Sequence, residues 1–316
     1  MRLATIDNGT ADGALIAVSR DAGRCLLAGG TLQQAVEDWQ RAEPELQSLA
    51  ARLEEGEGEA LDHQRLLAPL PRAWQWLDGS VFPQHGVLMQ QAFNLPPIET
   101  DRPLMYQGLS DRFLPGHADV PLPSEADGID FEGEYGVITD AVPMGTTPEQ
   151  AMAHIRLVIL INDWSLRAIA PIEMKTGFGW VQAKPACAAA PFALTPDELG
   201  SAWKDGRVHL PMQVALNGQW FGHPRGGEMA FGFHELVAHA ARSRDLVAGT
   251  IIGSGTVSNA DYARAGSACI SERRAIEVIE KGAPQTPFMK FGDRVRLEAE
   301  GGVFGAVDQR VVGAFA

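Results

Sequence analysis

The sequence predicts an α+β protein in which a small N-terminal α/β domain precedes a larger, β-rich body. The chain has 316 residues, of which 45% are hydrophobic and 21% charged, enough for one large core and a smaller one. Strand signals dominate from about residue 70 onward, whereas the first part of the chain combines short strands with helical patterns. A polar, glycine-bearing stretch at residues 56–59 separates the two parts, so we predict domains at residues 1–65 and 66–316.

The N-terminal domain is predicted to begin with a small sheet. Residues 2–28 contain short apolar runs separated by glycine-containing turns, and Ala14–Val18 is the most strand-like of these runs. Thr31 is expected to cap the helix that follows, because its hydroxyl can accept from the first free amides. Leucines at helical spacing predict a second helix over residues 45–55.

The body is predicted to consist mostly of strands. Two helices are expected to interrupt them, one running from Thr147 toward Ile161 and the other from His234 toward Ser243. The predicted strands cover residues 129–139, 208–221 with an Asn217-Gly218 turn, 250–252, 268–279, and 295–312 with an interruption at Gly301-Gly302.

Charge and composition exclude several classes of partner. Lys and Arg number 26 and Asp and Glu 40, which gives a net charge of −14, and no segment concentrates basic residues. We therefore expect neither nucleic acid nor a membrane as a partner. The longest aliphatic run, Leu157–Ile161, has five residues, against roughly 20 for a bilayer span, and the N-terminus lacks the apolar stretch of a secretory signal. Three widely spaced cysteines without a Cys-x-x-Cys pair favour a reducing cytoplasm.

Two carboxylates lie side by side on one predicted strand. Glu132 and Glu134 are two residues apart, and alternation along a strand places them on the same face. Like charges in these positions repel, so they need a cation, a Lys or Arg, or exposure to water. Exposure on a solvated edge strand is the alternative that this segment alone leaves open.

A third carboxylate favours a bound cation over exposure to water as the compensation for these charges. Asp163 follows the nearly aliphatic stretch Ile155–Ile161, where a buried carboxylate needs a partner, and Lys184 lies in a similarly poor environment for an ammonium group. Two Glu and an Asp without an adjacent Cys or His form an oxygen-only set of ligands. Such a set suits Mg²⁺, Mn²⁺ or Ca²⁺ better than zinc.

Four features in this order resemble the fumarylacetoacetate hydrolase superfamily. They are the Phe131-Glu132-Gly133-Glu134 strand, the Asn162-Asp163-Trp164-Ser165-Leu166-Arg167 segment, Lys184, and Gly253-Ser254-Gly255-Thr256-Val257-Ser258. The resemblance covers about residues 70–316. It implies a mixed β-roll catalytic domain, a homodimer formed through that domain, and one divalent cation held by Glu132, Glu134 and Asp163.

The resemblance also implies a fourth ligand and a general base. In the longer members an Asp precedes the catalytic His by seven residues, and Asp78 and His85 have this separation. His85 is then expected to activate water with the help of a Glu. Glu272 is the nearest candidate for that Glu, although Glu277 lies on a similar stretch and stays an alternative.

Further site residues follow from the same resemblance. Arg167 and Lys184 match positions that stabilise developing negative charge, and Tyr106, Gly255 and Thr256 are expected to contact the substrate. A Gln that follows the Arg by three residues in the animal hydrolase is Ala170 here, which leaves the substrate and the reaction open.

The sequence therefore predicts a cytoplasmic, metal-dependent enzyme acting on a small anionic oxo acid. The expected reaction is hydrolysis of a carbon-carbon bond in a β-diketo or acylpyruvate-type acid. A metal-dependent decarboxylase, isomerase or hydratase of 2-oxo acids in aromatic compound catabolism is the nearest alternative, because such enzymes bind similar substrates through similar carboxylates. A metal-dependent binding protein without turnover is the alternative from another class.

Overall fold

The computed structural model describes residues 1–94, 96 and 100–315. These residues form the predicted α+β fold, with mixed sheets that do not close on themselves. No helix within the described ranges is long and apolar enough to cross a membrane.

The strands fall in two larger sheets and two short pairs. In chain order they are β1 (Arg2–Ile6), β2 (Ala14–Val18), β3 (Arg24–Leu27), β4 (Glu59–Ala60), β5 (Gln75–Gly79), β6 (Met105–Gln107), β7 (Leu114–Pro115), β8 (Val120–Leu122), β9 (Ile129–Asp130), β10 (Gly133–Thr139), β11 (Ile155–Asn162), β12 (Ser165–Leu166), β13 (Ala188–Ala189), β14 (Ala193–Leu194), β15 (Trp203–Lys204), β16 (Arg207–Val208), β17 (Met212–Leu216), β18 (Gln219–Gly222), β19 (Thr250–Gly253), β20 (Arg294–Ala299) and β21 (Ala306–Gly313).

The helices have four to eight residues, apart from three of 16, 12 and 11 residues. They are α1 (Leu32–Glu37), α2 (Trp39–Glu54), α3 (Pro83–Phe93), α4 (Pro148–Ala151), α5 (Ala170–Thr176), α6 (Phe233–Ala240), α7 (Tyr262–Ala265) and α8 (Ile270–Lys281). Thr31 caps α1 as predicted, since its side chain accepts from the Gln34 amide in a capping box.

The larger sheet has the strand order β4-β3-β2-β1-β14-β11-β10-β19-β5-β6, and β13 and β7 join it beside β11. The smaller sheet has the order β18-β17-β20-β21-β8. Most neighbours are antiparallel, but three pairs run parallel: β19 with β5, β21 with β8, and β13 with β7. The β17–β18 hairpin contains the predicted turn, and both Asn217 and Gly218 have the positive φ that such a turn requires.

The centre of the larger sheet is buried on both faces. On β11, Val158 and Leu160 face the main core, whereas Leu157, Ile159 and Ile161 face a second core that includes N-terminal residues. The continuous apolar run therefore belongs to a fully covered strand. The predicted helix from Thr147 to Ile161 is wrong in its second half, because only Pro148–Ala151 is α-helical and the chain then enters β11.

The predicted strand over residues 268–279 is also wrong, because this segment forms α8. Its buried residues include Ala275 and Ile276, which pack with Leu88 of α3, and Ile270, which belongs to the main core. The helix places Glu272 in its first turn. This difference matters for function, since Glu272 is a predicted site residue.

Candidate metal centre and active site

Three carboxylates from three neighbouring parts of the larger sheet meet in the interior. Asp78 lies on β5, Glu134 on β10, and Asp163 directly after β11. Each offers an oxygen, and these oxygens all lie within 4.8 Å of one another. We call these three residues the acid triad.

Two glycines lie next to Asp78 of the acid triad. A side chain at Gly253, which pairs with Asp78 across β19 and β5, would come within 2.5 Å of the Asp78 carboxylate. Gly255 has a φ of +76°, and its amide donates to Asp78 Oδ1 at 3.0 Å. The Gly-Ser-Gly segment thus shapes the space around Asp78.

The three acidic groups of the triad are crowded together in the interior, where ionising all of them is unfavourable without a cation. Asp163 and Glu134 are fully buried and Asp78 nearly so. Burial, followed by the charge of Asp163, raises the pKa of Asp78 to about 8, and burial, followed by the charge of Asp78, raises the pKa of Glu134 well above its ordinary value. Both Glu134 oxygens are buried without a hydrogen-bond partner among the described residues. The triad therefore fits a divalent cation with a preference for oxygen ligands.

Glu132 lies outside the triad, in an ion-pair cluster. Its Oε2 accepts from Lys184 Nζ at 2.7 Å, and its Oε1 accepts from the Arg167 guanidinium. Burial favours the neutral form of Glu132, but Arg167 and Lys184 outweigh it and hold its pKa well below the usual range. The structure thus gives Glu132 two cationic partners, and its predicted role as a metal ligand stays a prediction.

Lys184 connects this cluster to the triad. Its Nζ also donates to Asp163 Oδ2 at 2.6 Å, and it lies 5.3 Å from the centre of the Tyr106 ring. Burial opposes the charged form of Lys184, but Asp163 and Glu132 raise its pKa above the ordinary value. Lys184 therefore stays an ammonium at neutral pH.

Asp163 has two further donors. The Tyr106 hydroxyl donates to Asp163 Oδ2 at 2.5 Å, and the Cys187 thiol donates to Oδ1 at 3.0 Å. Burial, followed by the charge of Asp163, raises the pKa of Cys187 well above its ordinary value, so the thiol keeps its proton. Sequence reasoning missed Cys187, and its only signal was a position three residues after Lys184.

The predicted base and its partner are in contact. His85 lies in the first turn of α3 and its Nδ1 is 2.8 Å from Glu272 Oε2 on α8. Glu277 instead accepts from the Gln285 and Thr286 amides. The structure therefore pairs Glu272 and not Glu277 with His85.

Asp130 is a second residue that the sequence did not single out. Its carboxylate is fully buried and accepts from the Ile270 and Ser271 amides at 2.7 and 2.9 Å, and from Arg167 Nε at 2.8 Å. Through these hydrogen bonds Asp130 connects two parts of the site. One is the first turn of α8, which carries Glu272, and the other is Arg167, which pairs with Glu132. Thr256, a predicted substrate contact, is buried next to Gly255.

Comparisons with known proteins identify a family. Residues 75–312 match the family described as "Fumarylacetoacetate (FAA) hydrolase C-terminal", and residues 1–72 match "Fumarylacetoacetase N-terminal domain 2". A 2,4-didehydro-3-deoxy-L-rhamnonate hydrolase from Sphingomonas sp. (strain SKA58) is 25% identical over 207 residues, which is 65% of this chain. The match spans 63% of the length of that relative.

Solved structures share the fold. A maleylpyruvate hydrolase from Sphingobium sp. SYK-6, in complex with manganese(II) and pyruvate, has a TM-score of 0.67 and 15% identity over 99% of each chain. A 5-carboxymethyl-2-hydroxymuconate delta-isomerase from Mycobacterium smegmatis has a TM-score of 0.63 and 17% identity over 99% of each chain.

The relatives are therefore enzymes, both hydrolases and isomerases. The match to the C-terminal family spans the acid triad, Lys184, and the His85–Glu272 pair. Since the match to the C-terminal family covers well over half of the sequence, the chain belongs to the fumarylacetoacetate hydrolase family.

Proposed function

We propose that this protein is a metal-dependent hydrolase that cleaves a carbon-carbon bond in a small β-diketo or acylpyruvate-type acid. The observation that carries the proposal is the buried acid triad together with a hydrogen-bonded His85–Glu272 pair. The triad would hold Mg²⁺, with Mn²⁺ or Ca²⁺ as alternatives, and this site supplies Lewis-acid polarisation of an oxo-acid substrate when the metal is bound.

His85 is suited to accept a proton from water. Because Nδ1 of His85 is hydrogen-bonded to Glu272 Oε2, Nε2 is the ring nitrogen that is left to act as the base. The Glu272 carboxylate then stabilises the imidazolium that forms. The His85 side chain is 19% exposed, so water can reach it, whereas Glu272 is fully buried. Attack of that water on the distal carbonyl would form a tetrahedral adduct, and its collapse to a carboxylic acid would break the bond to the adjacent carbon. The departing enolate would take up the proton that His85 holds.

Lys184 and Arg167 supply positive charge where the leaving carbanion or enolate develops. Both are held rigidly by Glu132, and Arg167 also by Asp130. Fixed charges in a buried site stabilise developing charge without reorganisation. The Tyr106 hydroxyl, bonded to Asp163, completes the polar wall on the β6 side.

A decarboxylase, isomerase or hydratase of 2-oxo acids is the second candidate. The observation that favours it is the shared fold of the delta-isomerase from M. smegmatis, together with Ala170 at the position where the animal hydrolase has Gln. Decarboxylation of an oxaloacetate-like acid needs no attacking water, and so it depends less on His85.

The first prediction separates these reactions by removing the imidazole. His85→Ala should lower kcat/KM for acylpyruvate hydrolysis by about 10²- to 10⁴-fold, the usual contribution of a general base, and leave the Mg²⁺ affinity nearly unchanged. The measurement compares wild type and variant with an acylpyruvate and with oxaloacetate in saturating Mg²⁺, and Mg²⁺ binding by calorimetry. Chelation should abolish both reactions. A wild type that decarboxylates but hydrolyses no acylpyruvate would establish the lyase instead.

Partner, assembly and location belong to the same proposal. We propose a small anionic oxo acid as the substrate, a homodimer as the assembly, and the cytoplasm as the location. The free thiols of Cys25, Cys187 and Cys269 support a reducing compartment.

A further inference from the structure

The carboxylate of Glu173 binds the stretch of backbone that leads into Lys184. Glu173 lies on α5, and its Oε2 accepts from the amides of Val181 and Ala183 at 3.1 and 3.0 Å. Its Oε1 accepts from the amide of Gln182 at 2.8 Å. These hydrogen bonds, first the one from the Gln182 amide, lower the pKa of Glu173, so its side chain is ionised at neutral pH. One charged side chain therefore holds three successive amides, and Lys184 is the next residue.

The segment between Glu173 and these amides buries little apolar surface. Residues 174–179 and 181–182 are exposed, and Trp180 is half-buried. The side chain of Phe178 is 97% exposed. Because the stabilisation from packing grows with the apolar area that is buried, packing contributes little here. The hydrogen bonds of Glu173 are therefore a main constraint on this segment.

Ala183 is the point at which the segment enters the buried site. Its side chain is fully buried, and its carbonyl accepts from the amide of Leu166 on β12 at 2.8 Å. Its amide donates to Glu173 on the other side. The backbone just before Lys184 is thus held from the core by Leu166 and from the outside by Glu173.

The side chain of Lys184 needs this fixed backbone. Its ammonium donates to Glu132 Oε2 at 2.7 Å and to Asp163 Oδ2 at 2.6 Å, and it therefore serves two buried carboxylates at once. A lysine side chain has many rotamers, so a displaced backbone would allow the ammonium to leave one of these partners. A displacement of about 1 Å within an active site can lower a rate by about 10²-fold.

We propose that Glu173 is a positioning residue for Lys184. By binding the amides of residues 181–183 it fixes the backbone from which the Lys184 ammonium reaches the active site. The inference rests on the proposed function, in which Lys184 stabilises the leaving enolate. It extends the machinery of the reaction from the buried site outward to α5.

The second prediction uses the lysines of the chain as probes. There are five, of which Lys184 is buried and four are exposed, namely Lys175, Lys204, Lys281 and Lys290. Ammonium protons of exposed lysines exchange rapidly with water, whereas those of a buried, hydrogen-bonded ammonium exchange slowly. NMR of the full chain with isotope-labelled lysines, in saturating Mg²⁺ at neutral pH, should therefore show one protected ammonium signal. Glu173→Gln, which turns an NH₂ group toward the amides, should speed its exchange by about 10-fold or more, the usual effect of losing a hydrogen bond to a charged group.

The same variant should separate kcat from KM. Glu173→Gln is expected to lower kcat for acylpyruvate hydrolysis by about 10-fold and to leave KM nearly unchanged, because Lys184 acts on charge that develops only after the substrate has bound. The Tm should stay close to that of the wild type, since the segment that is released is already exposed.

Glu277→Gln is the matched control. Glu277 lies in the second half of α8 and holds another backbone segment through the amides of Gln285 and Thr286, so its loss should leave the Lys184 signal unchanged. The absence of a protected ammonium signal in the wild type, or equal exchange in the wild type and Glu173→Gln, would overturn the inference.

Two further results would also overturn it. One is faster exchange in Glu173→Gln with an unchanged kcat, and the other is a variant without a cooperative unfolding transition, which would assign Glu173 to global stability. Faster exchange in the variant, combined with a wild type that hydrolyses no acylpyruvate, would refute the proposed reaction alone. Hydrolysis by the wild type, with exchange and kcat unaffected by Glu173→Gln, would refute this inference alone.

Discussion

At the scale of single residues, the acid triad couples protonation to stability. Asp78 has a pKa of about 8 in the folded, metal-free protein, against about 3.9 in an unfolded chain. Between these values the folded protein holds a proton that the unfolded chain has released. The free energy of unfolding of the metal-free protein therefore falls as the pH rises from about 4 to about 8.

The third prediction concerns this pH dependence. The Tm of the metal-free protein should fall by on the order of 5 °C between pH 6 and pH 9, and Mg²⁺ should remove the decline because the cation replaces the proton. Thermal denaturation followed by circular dichroism, with and without chelator, measures this change in Tm. Asp78→Asn is the control, since it cannot titrate and should show a smaller decline, with the remainder due to Glu134. A metal-free Tm that rises over this range would contradict the interpretation.

The site residues that could be predicted from the sequence are those that lie within short, recognisable segments of the chain. Glu134 and Asp163 belong to segments that resemble those of the family, and the same resemblance implied Asp78, which precedes His85 by the family's seven residues. The contacts that define their roles are long-range, such as Cys187 on Asp163 and Lys184 on Glu132. No local pattern encodes such contacts, so the division between the triad and the ion-pair cluster could not be predicted.

At the scale of elements, the two wrong predictions have different causes. A run such as Leu157–Ile161 has neither helical nor alternating periodicity, because it is covered on both faces. The segment that forms α8 is rich in Ile and Val, residues that favour strands, yet its charged residues follow a helical repeat. Burial on both faces removed the periodicity that would have identified β11 as a strand, whereas in α8 the helical repeat was present but the Ile and Val residues outweighed it in the prediction.

The position of α8 depends on Asp130, which we infer to be a positioning residue. Two amides in the first turn of the helix donate to its carboxylate, and Arg167 donates to the same group. Burial raises the pKa of Asp130, although the charge of Arg167 opposes this effect. An Asn side chain at this position would present an amide to donors and leave two of them without an acceptor.

The fourth prediction tests that role by a double-mutant cycle. Asp130→Asn should lower kcat/KM for hydrolysis by about 10-fold or more, because Glu272 would no longer be held against His85. The loss should be markedly smaller in a His85→Ala background, where this pair is already absent. Asp140→Asn is the control, because Asp140 binds His154 and Arg156 away from α8 and should affect stability alone. If the losses in kcat/KM caused by Asp130→Asn and by His85→Ala multiply fully in the double variant, Asp130 does not act through His85.

At the scale of the whole molecule, the N-terminal part is built into the larger sheet. β1 pairs with β14, and the amino group of Met1 donates to Thr195 Oγ1 at 2.5 Å. No residue before 66 belongs to the acid triad. The predicted boundary near residue 65 stays a prediction, but the N-terminal segment shares a sheet and a core with the rest.

The fifth prediction is that residues 66–316 do not fold alone. Trp39 and Leu46 of α2 share a core with Ile138, Leu157 and Ile159 of the central strands. Uncovering large apolar side chains costs about 1.5–3 kcal/mol each, and the net stability of a protein is only about 5–15 kcal/mol. Three such side chains would therefore remove much or all of it. The shortened chain should be insoluble or lack a cooperative unfolding transition, whereas co-expression with residues 1–65 should restore both solubility and activity. A soluble, fully active fragment of residues 66–316 would show instead that the central sheet needs no cover from the N-terminal segment.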